Sequence, residues 1–200
     1  NFLNDGTKFR EDKMVKPFRR VVTGHDASGK AVFLSDGEAK KVQPAPRPGV
    51  VSTLFWVTDE TPADISGSAD RADRTIGVPP PANGSVFRIV DFPPVKNAAA
   101  LDNAKILAEM GIKDGHGNDG KKVNPFMHRT KSVDYALVMS GEIDMDIDGA
   151  AVHLKAGDVL VQRGTIHNWI NTGTAPCVIV FALIDGKSVT AGGKVLTAVG

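Results

Sequence analysis

Glycine and proline cut this chain into short runs, and nearly every run has strand character. The 200 residues hold 21 Gly and 12 Pro, so few segments are long enough for extended helix. Between the breaks stand RRVVTG, KAVFLS, VVSTLFWV, GSVFRIVDF, SVDYALVM, EIDMDID, AVHL, DVLVQ, TIHNWIN, PCVIVFALI and KVLTAV. They alternate apolar with polar residues or are rich in β-branched side chains, the pattern of strands in a sandwich or barrel. Turn residues separate them at Asp26–Gly29, Ser140-Gly141, Asp148-Gly149 and Lys155–Asp158. Each supplies a residue tolerant of positive φ. One segment has helical spacing: Leu101, Ala104, Leu107 and Ala108 predict a helix over 97–111, closed by Gly111. The proline-marked stretch 59–84 is expected to be a surface loop and a candidate lid.

Composition narrows the function. A chain of this length is one domain. With 42% hydrophobic and 24% charged residues it falls in the ordinary globular range. Its 24 Lys and Arg against 23 Asp and Glu give a formal charge of +1, which argues against an extended nucleic-acid surface. Cys177 is the only cysteine, so no internal disulfide forms, and a reducing, cytoplasmic setting is expected. The apolar stretch from Cys177 to Ile184 is far short of the roughly 20 residues a membrane helix needs. The opening NFLNDGTKFREDK has no apolar signal core.

Two stretches carry the candidate chemistry. The first runs from Met127 through His128, Thr130 and Asp134 to Gly141. The second runs from Gly157 through Gln162, Arg163, Gly164, His167 and Trp169 to Asn171. If both are extended, His128, Thr130, Asp134, Ala136 and Val138 share one face, and His167, Trp169 and Asn171 share another. If both faces look into one barrel, two imidazoles and a carboxylate converge on a pocket floored by small apolar side chains. The remaining histidines have plainer readings. His25 sits at a hairpin tip, His116 in a Gly-rich loop and His153 on the solvent side of a strand. On EIDMDID the carboxylates fall at alternate positions with no Glu to close a loop, which argues against a calcium site. Cys177 opens an apolar strand and is expected to be an inert buried thiol.

These two stretches resemble the motifs of the cupin superfamily. Its first motif has His-x-His, a Glu about four residues on, and a Gly after a further short strand. His128, Asp134 and Gly141 fall at the first His, the Glu and the Gly. The second motif has a Gly, a Pro-x-Gly turn, a His three residues later and an Asn four beyond that; Gly157, Gly164, His167 and Asn171 match it. The chain departs at Thr130, which replaces the second His, at Asp134, which is shorter than Glu, and at Gln162, which replaces the Pro. The resemblance implies an all-β fold, a cupin double-stranded β-helix or jelly-roll barrel with an N-terminal β extension. Residues 1–110 would form the extension, surface loop and helix packed on a barrel core at 111–200.

The resemblance also implies a metal set reduced to His128, Asp134 and His167, for one divalent ion (Fe, Zn, Mn or Ni) in an oxygenase or lyase. Two other readings stand beside it. The same histidine pair could move protons without metal in an isomerase, dehydratase or cyclase, with Asp134 orienting one ring. Alternatively, the pocket could bind a small molecule without chemistry. In each case Thr130, Trp169, Gln162 and Val138 are expected to touch the ligand, and Arg163 to supply a cation for a substrate carboxylate. The strand SVDYALVM is apolar on both faces, so a covering layer, and with it a homodimer, is expected. The expected partners are thus a small molecule and a second copy, with no nucleic acid and no membrane.

Overall fold

A computed structural model describes residues 17–45, 47, 49–95 and 126–198. Among these residues every regular element is a strand. The expected helix over 97–111 and His116 lie outside them. No helix among them is long and apolar enough to cross a membrane.

Strands β1 (Arg19–His25) and β2 (Ala31–Glu38) form a separate two-stranded hairpin. A six-stranded antiparallel sheet follows the order β3 (Val42–Pro44), β4 (Val51–Thr58), β5 (Ser85–Phe92), β11 (Cys177–Asp185), β6 (Ser132–Ser140), β9 (Val159–Arg163). A three-stranded sheet, β10 (Asn168–Ile170), β7 (Glu142–Ile147), β8 (Ala150–Lys155), faces it, and β12 (Val189–Ala191) and β13 (Lys194–Leu196) close the chain as a hairpin. This is the double-sheet jelly roll the motifs imply.

The expected division at residue 110 falls outside the described residues. Strands β3, β4 and β5 lie well before it, yet β5 pairs with β11 over the full length from Cys177↔Phe92 to Ile184↔Ser85. Only the β1–β2 hairpin stands apart as an extension. Pairing between strands some ninety residues apart is a long-range property that local alternation cannot reveal.

The core lies between the two sheets. Leu54, Val57, Val86, Val138, Ile143 and Ile179 are its largest fully buried aliphatic side chains. On β6 burial alternates strictly through Asp134, Ala136 and Val138, while Tyr135, Leu137 and Met139 face outward and remain 49%, 39% and 48% exposed. Leu137 and Met139 line a groove shared with β1, so the hairpin covers this outer face only in part. Just before the hairpin, Phe18 packs edge-on against Phe55 of β4, which is tilted on Phe87 of the adjacent β5. Arg20 ties the hairpin down by donating to Phe55 O at 3.0 Å and pairing with Asp70.

The loop over 59–84 carries no regular structure but is anchored. Ala72 is buried in the core, Ile76 and Val78 pack against it, and Arg74 pairs with Asp59. Gly141 at the β6–β7 turn has φ 74°, and an added Cβ would stand 2.5 Å from Pro176 O, so no larger side chain fits there.

Candidate functional site

His128 and His167 are paired through their own backbones: each N–H donates to the other's carbonyl at 2.9 Å in an antiparallel bridge. Residues paired this way project their side chains on the same face. The rings therefore meet, with centroids 4.2 Å apart and planes inclined by 52°. Both histidines are buried. The Nδ1 of His128 lies 3.0 Å from Phe126 O, and that of His167 lies 3.0 Å from Thr165 O. A carbonyl can only accept, so each Nδ1 carries the hydrogen and each Nε2 is the basic ring atom. Burial holds both rings below the usual imidazole range. Arg47 adds to the effect at His128, and the neighbouring ring adds to it at His167, which lies well below. Both are neutral near pH 7.

Asp134 enters the same space from β6. Its Oδ1 accepts from Ser132 Oγ at 2.6 Å and its Oδ2 accepts from Gln162 Nε2 at 2.9 Å. Gln162 is its cross-strand partner on β9, so register explains the contact. Ser132 Oγ also lies 2.8 Å from Thr130 Oγ1. Burial pushes the carboxyl up from 3.8 to about 6, against the pull of the Ser132 hydroxyl and the Arg88 charge.

The cavity these groups line has a volume of about 130 Å³ and a mostly apolar wall. His128, Thr130, Asp134, His167 and Trp169 all border it. Trp169 stacks edge-on to both Phe181 and His167. Of the other expected ligand contacts, Gln162 is buried and serves Asp134, and Val138 lies in the core away from the cavity wall. Arg163 is exposed: with Gln162 turned inward to Asp134, alternation turns its neighbour outward. The cations at the cavity are instead Arg47 and Arg88, both buried, which the motifs gave no reason to single out. Asn171, though it falls at a motif position, is structural. Its Nδ2 donates to Phe92 O and Ala175 O, both at 2.8 Å, and its Oδ1 accepts from Gly173 N at 2.9 Å.

The metal set expected of His128, Asp134 and His167 does not gather. Among the described residues no three His, Cys, Asp or Glu side chains come close enough together to hold one ion. The two Nε2 atoms suit a metal, and the Asp134 carboxylate is held in place by Ser132 at one oxygen and by Gln162 at the other. Away from the cavity, His153 is exposed, as expected, and its Nδ1 lies 2.8 Å from Asp144. Cys177 is fully buried, and burial raises its thiol to about 11.

Comparison with known proteins agrees with this architecture. The cupin domain model matches residues 118–183. A phomopsin biosynthesis cluster protein C' from Diaporthe leptostromiformis is 33% identical over 197 residues, covering 95% of this chain and 90% of its own. The cupin-domain-containing oxidoreductase virC from Hypocrea virens is 30% identical over 176 residues, covering 85% of this chain and 77% of its own. The cupin-domain-containing oxidoreductase fogC from Aspergillus ruber is 29% identical over 200 residues, covering 97% and 85%. With the motif spacing, the two-sheet barrel and near full-length relatives in agreement, the chain belongs to the cupin superfamily.

Proposed function

We propose that this cupin is an enzyme that transfers protons on a small, largely apolar organic molecule, in an isomerisation, dehydration or cyclisation. The observation that carries this reading is the paired imidazoles. Each is buried, neutral and anchored through Nδ1, with its basic Nε2 left for a ligand in the shared cavity. A base held neutral is ready to accept a proton, and its lowered affinity makes the return step easy. One Nε2 takes the proton from carbon or oxygen, and the imidazolium so formed returns it to another atom of the bound molecule, with the second ring close enough to share that proton. Asp134, with a carboxyl near 6, exchanges protons close to neutral pH and is positioned for this by Ser132 and Gln162. Trp169 and the apolar wall exclude water and fix the ligand's plane.

Two of the relatives are named as oxidoreductases, which favours a second reading, oxidation in the same pocket. That chemistry needs an electron acceptor, and among the described residues no three His, Cys, Asp or Glu side chains gather around one point.

Hydrogen–deuterium exchange separates the two. Small ketones and organic acids are incubated with the protein in deuterated buffer and followed by NMR. Deuterium is expected to enter one carbon position, with chelator making no difference. His128→Ala and His167→Ala are each expected to slow the exchange by about 10²–10⁴-fold, the usual contribution of a general base. Unchanged exchange in both variants refutes proton transfer by this pair. Loss of turnover on chelation, with recovery on adding iron, zinc, manganese or nickel, establishes the metal reading instead.

A further inference from the structure

We propose that the cavity holds a carboxylate-binding site built from Arg47 and Arg88, and that the ligand is therefore a small organic acid with an apolar body. This deepens the proton-transfer reading by naming its substrate class, and it is tested by binding alone.

The argument starts from buried polar atoms without partners. Arg47 Nη2, Ser52 Oγ, Arg88 Nε and Asn168 Nδ2 are all buried and make no hydrogen bond among the described residues, and all four residues line the same cavity. Buried donors without partners are rare in folded proteins, and four around one cavity mark a place where a ligand accepts. Three of the four are N–H donors, and an ionised carboxylate has about four lone-pair sites.

Charge points the same way. Arg88 is held by Gly77 O at 2.7 Å and Arg47 by Trp169 O at 2.6 Å, so backbone carbonyls, and no carboxylate, fix their positions. Arg47 also lies 4.7 Å over the Phe126 ring, which keeps its guanidinium in the wall. Neither arginine makes an ion pair among the described residues. Both histidines are neutral, and Asp134 is the one carboxylate on the cavity wall. Two guanidiniums against one carboxylate leave the cavity with a positive charge in excess, in a medium where an uncompensated charge is costly.

The rest of the wall sets the body of the ligand. Val78, Val90, Phe181 and Leu183 are apolar, and a cavity of about 150 Å³ is known to admit benzene, close to the volume here of about 130 Å³. A single ring or short chain bearing one carboxylate fits both walls. Register places Arg88 on β5 and Asp134 on β6, with β11 between them. At about 4.8 Å per strand their backbones are roughly 10 Å apart sideways, a span such an acid can bridge. The carboxylate then sits at the arginines and the reacting carbon faces the histidines.

Benzoate, its uncharged isostere benzamide, and inorganic phosphate are titrated into the intact protein by calorimetry. Benzoate is expected to bind at least tenfold more tightly than either of the others, as charge-assisted pairing with arginine implies. Arg88→Met and Arg47→Met are each expected to erase the preference over benzamide while apolar binding persists. Should a variant fail to fold, ¹⁵N-arginine labelling of the unaltered chain keeps the test open: the Arg88 Nε–H resonance must move on benzoate addition and stay still with benzamide. Equal binding of benzoate and benzamide, a preference that survives in both variants, tighter binding of phosphate, or no binding of benzoate at millimolar concentrations each overturns the proposal. The exchange experiment is read on the histidine variants and the binding experiment on the arginine variants, so a failed exchange experiment and a failed binding experiment have separate causes.

Discussion

Replacing Asp134 with Asn should stabilise the protein at alkaline pH and leave it nearly unchanged in acid. The buried carboxyl rises from 3.8 to about 6, a shift of about 2.2 units at about 1.36 kcal/mol each, or about 3 kcal/mol. The sign follows from proton counting. Between those two values the unfolded chain has lost the proton and the folded chain still holds it. Stability therefore falls as pH rises through this window and is level above it. Asn reproduces the protonated form: its Oδ1 still accepts from Ser132, and the Gln162 amide can turn to accept from its Nδ2. The wild-type curve alone does not isolate this effect. His128 and His167 sit below the usual imidazole range, so the unfolded chain binds more protons there and stability rises as pH climbs toward about 6.5. Subtracting the variant's curve from the wild type's cancels both histidines. The expected difference is about half a kcal/mol at pH 4 and about 3 kcal/mol in favour of Asn at pH 8. At about 2–4 °C per kcal/mol for a chain of this size, the melting temperature rises by about 6–12 °C at pH 8. Urea unfolding followed by tryptophan fluorescence at both pH values measures it. A variant less stable than wild type at pH 8, or a difference that does not grow with pH, refutes the assignment of Asp134 as a carboxylate ionised against its surroundings.

Asn171→Leu removes three hydrogen bonds at the turn after β10 and leaves two carbonyls unpaired. It should cost about 2–4 kcal/mol in urea unfolding, and a loss below about 1 kcal/mol would show that the turn holds without it. Cys177 should resist iodoacetamide at pH 8 in the folded protein and react fully in urea; modification of the native protein at the unfolded rate counts against its burial. On the outer face Tyr135 pairs with Val161 and Leu137 with Val159, all exposed, in an apolar strip that a second copy of the chain would cover. Light scattering should return twice 21.2 kDa, falling to that mass in Leu137→Glu; the single-chain mass for the unaltered protein ends the homodimer expectation.

What could be read before folding was whatever is local. Alternation at Asp134, Ala136 and Val138 names the buried face of β6, because period-two geometry acts over a few residues, whereas the meeting of His128 with His167 is long-range and was legible only through the resemblance of the two motifs to a known family. The pairing of β5 with β11 and the arginines that line the cavity were not legible in this way. Arg88 lies in GSVFRIVDF, where Phe87 and Ile89 are as apolar as Val86 and Val90, so parity alone does not say which face turns inward. A lone charge in an otherwise apolar strand was the available signal. Arg163 carried the same charge next to the motif, but the Asp134–Gln162 contact settles its neighbour's direction.

Of the seven buried polar side-chain atoms without a hydrogen bond among the described residues, four stand around the cavity. Leu54, Val57, Ile143 and Ile179 fill the remainder of the interior as an ordinary aliphatic core. Around the cavity stand two guanidiniums that make no ion pair among the described residues, a carboxyl whose ionisation is penalised, and the four polar atoms without hydrogen bonds. Each orphaned buried group costs about 1–3 kcal/mol, and apolar side chains of similar volume would commonly be more stable. A barrel needs none of these groups to close, since its strands pair without them. A ligand that accepts from Arg47, Arg88 and Asn168 recovers part of that cost on binding. The same groups that weaken the empty barrel therefore set its affinity and its selectivity for a negative charge, and stability and ligand binding in this chain are two readings of one set of unpartnered donors.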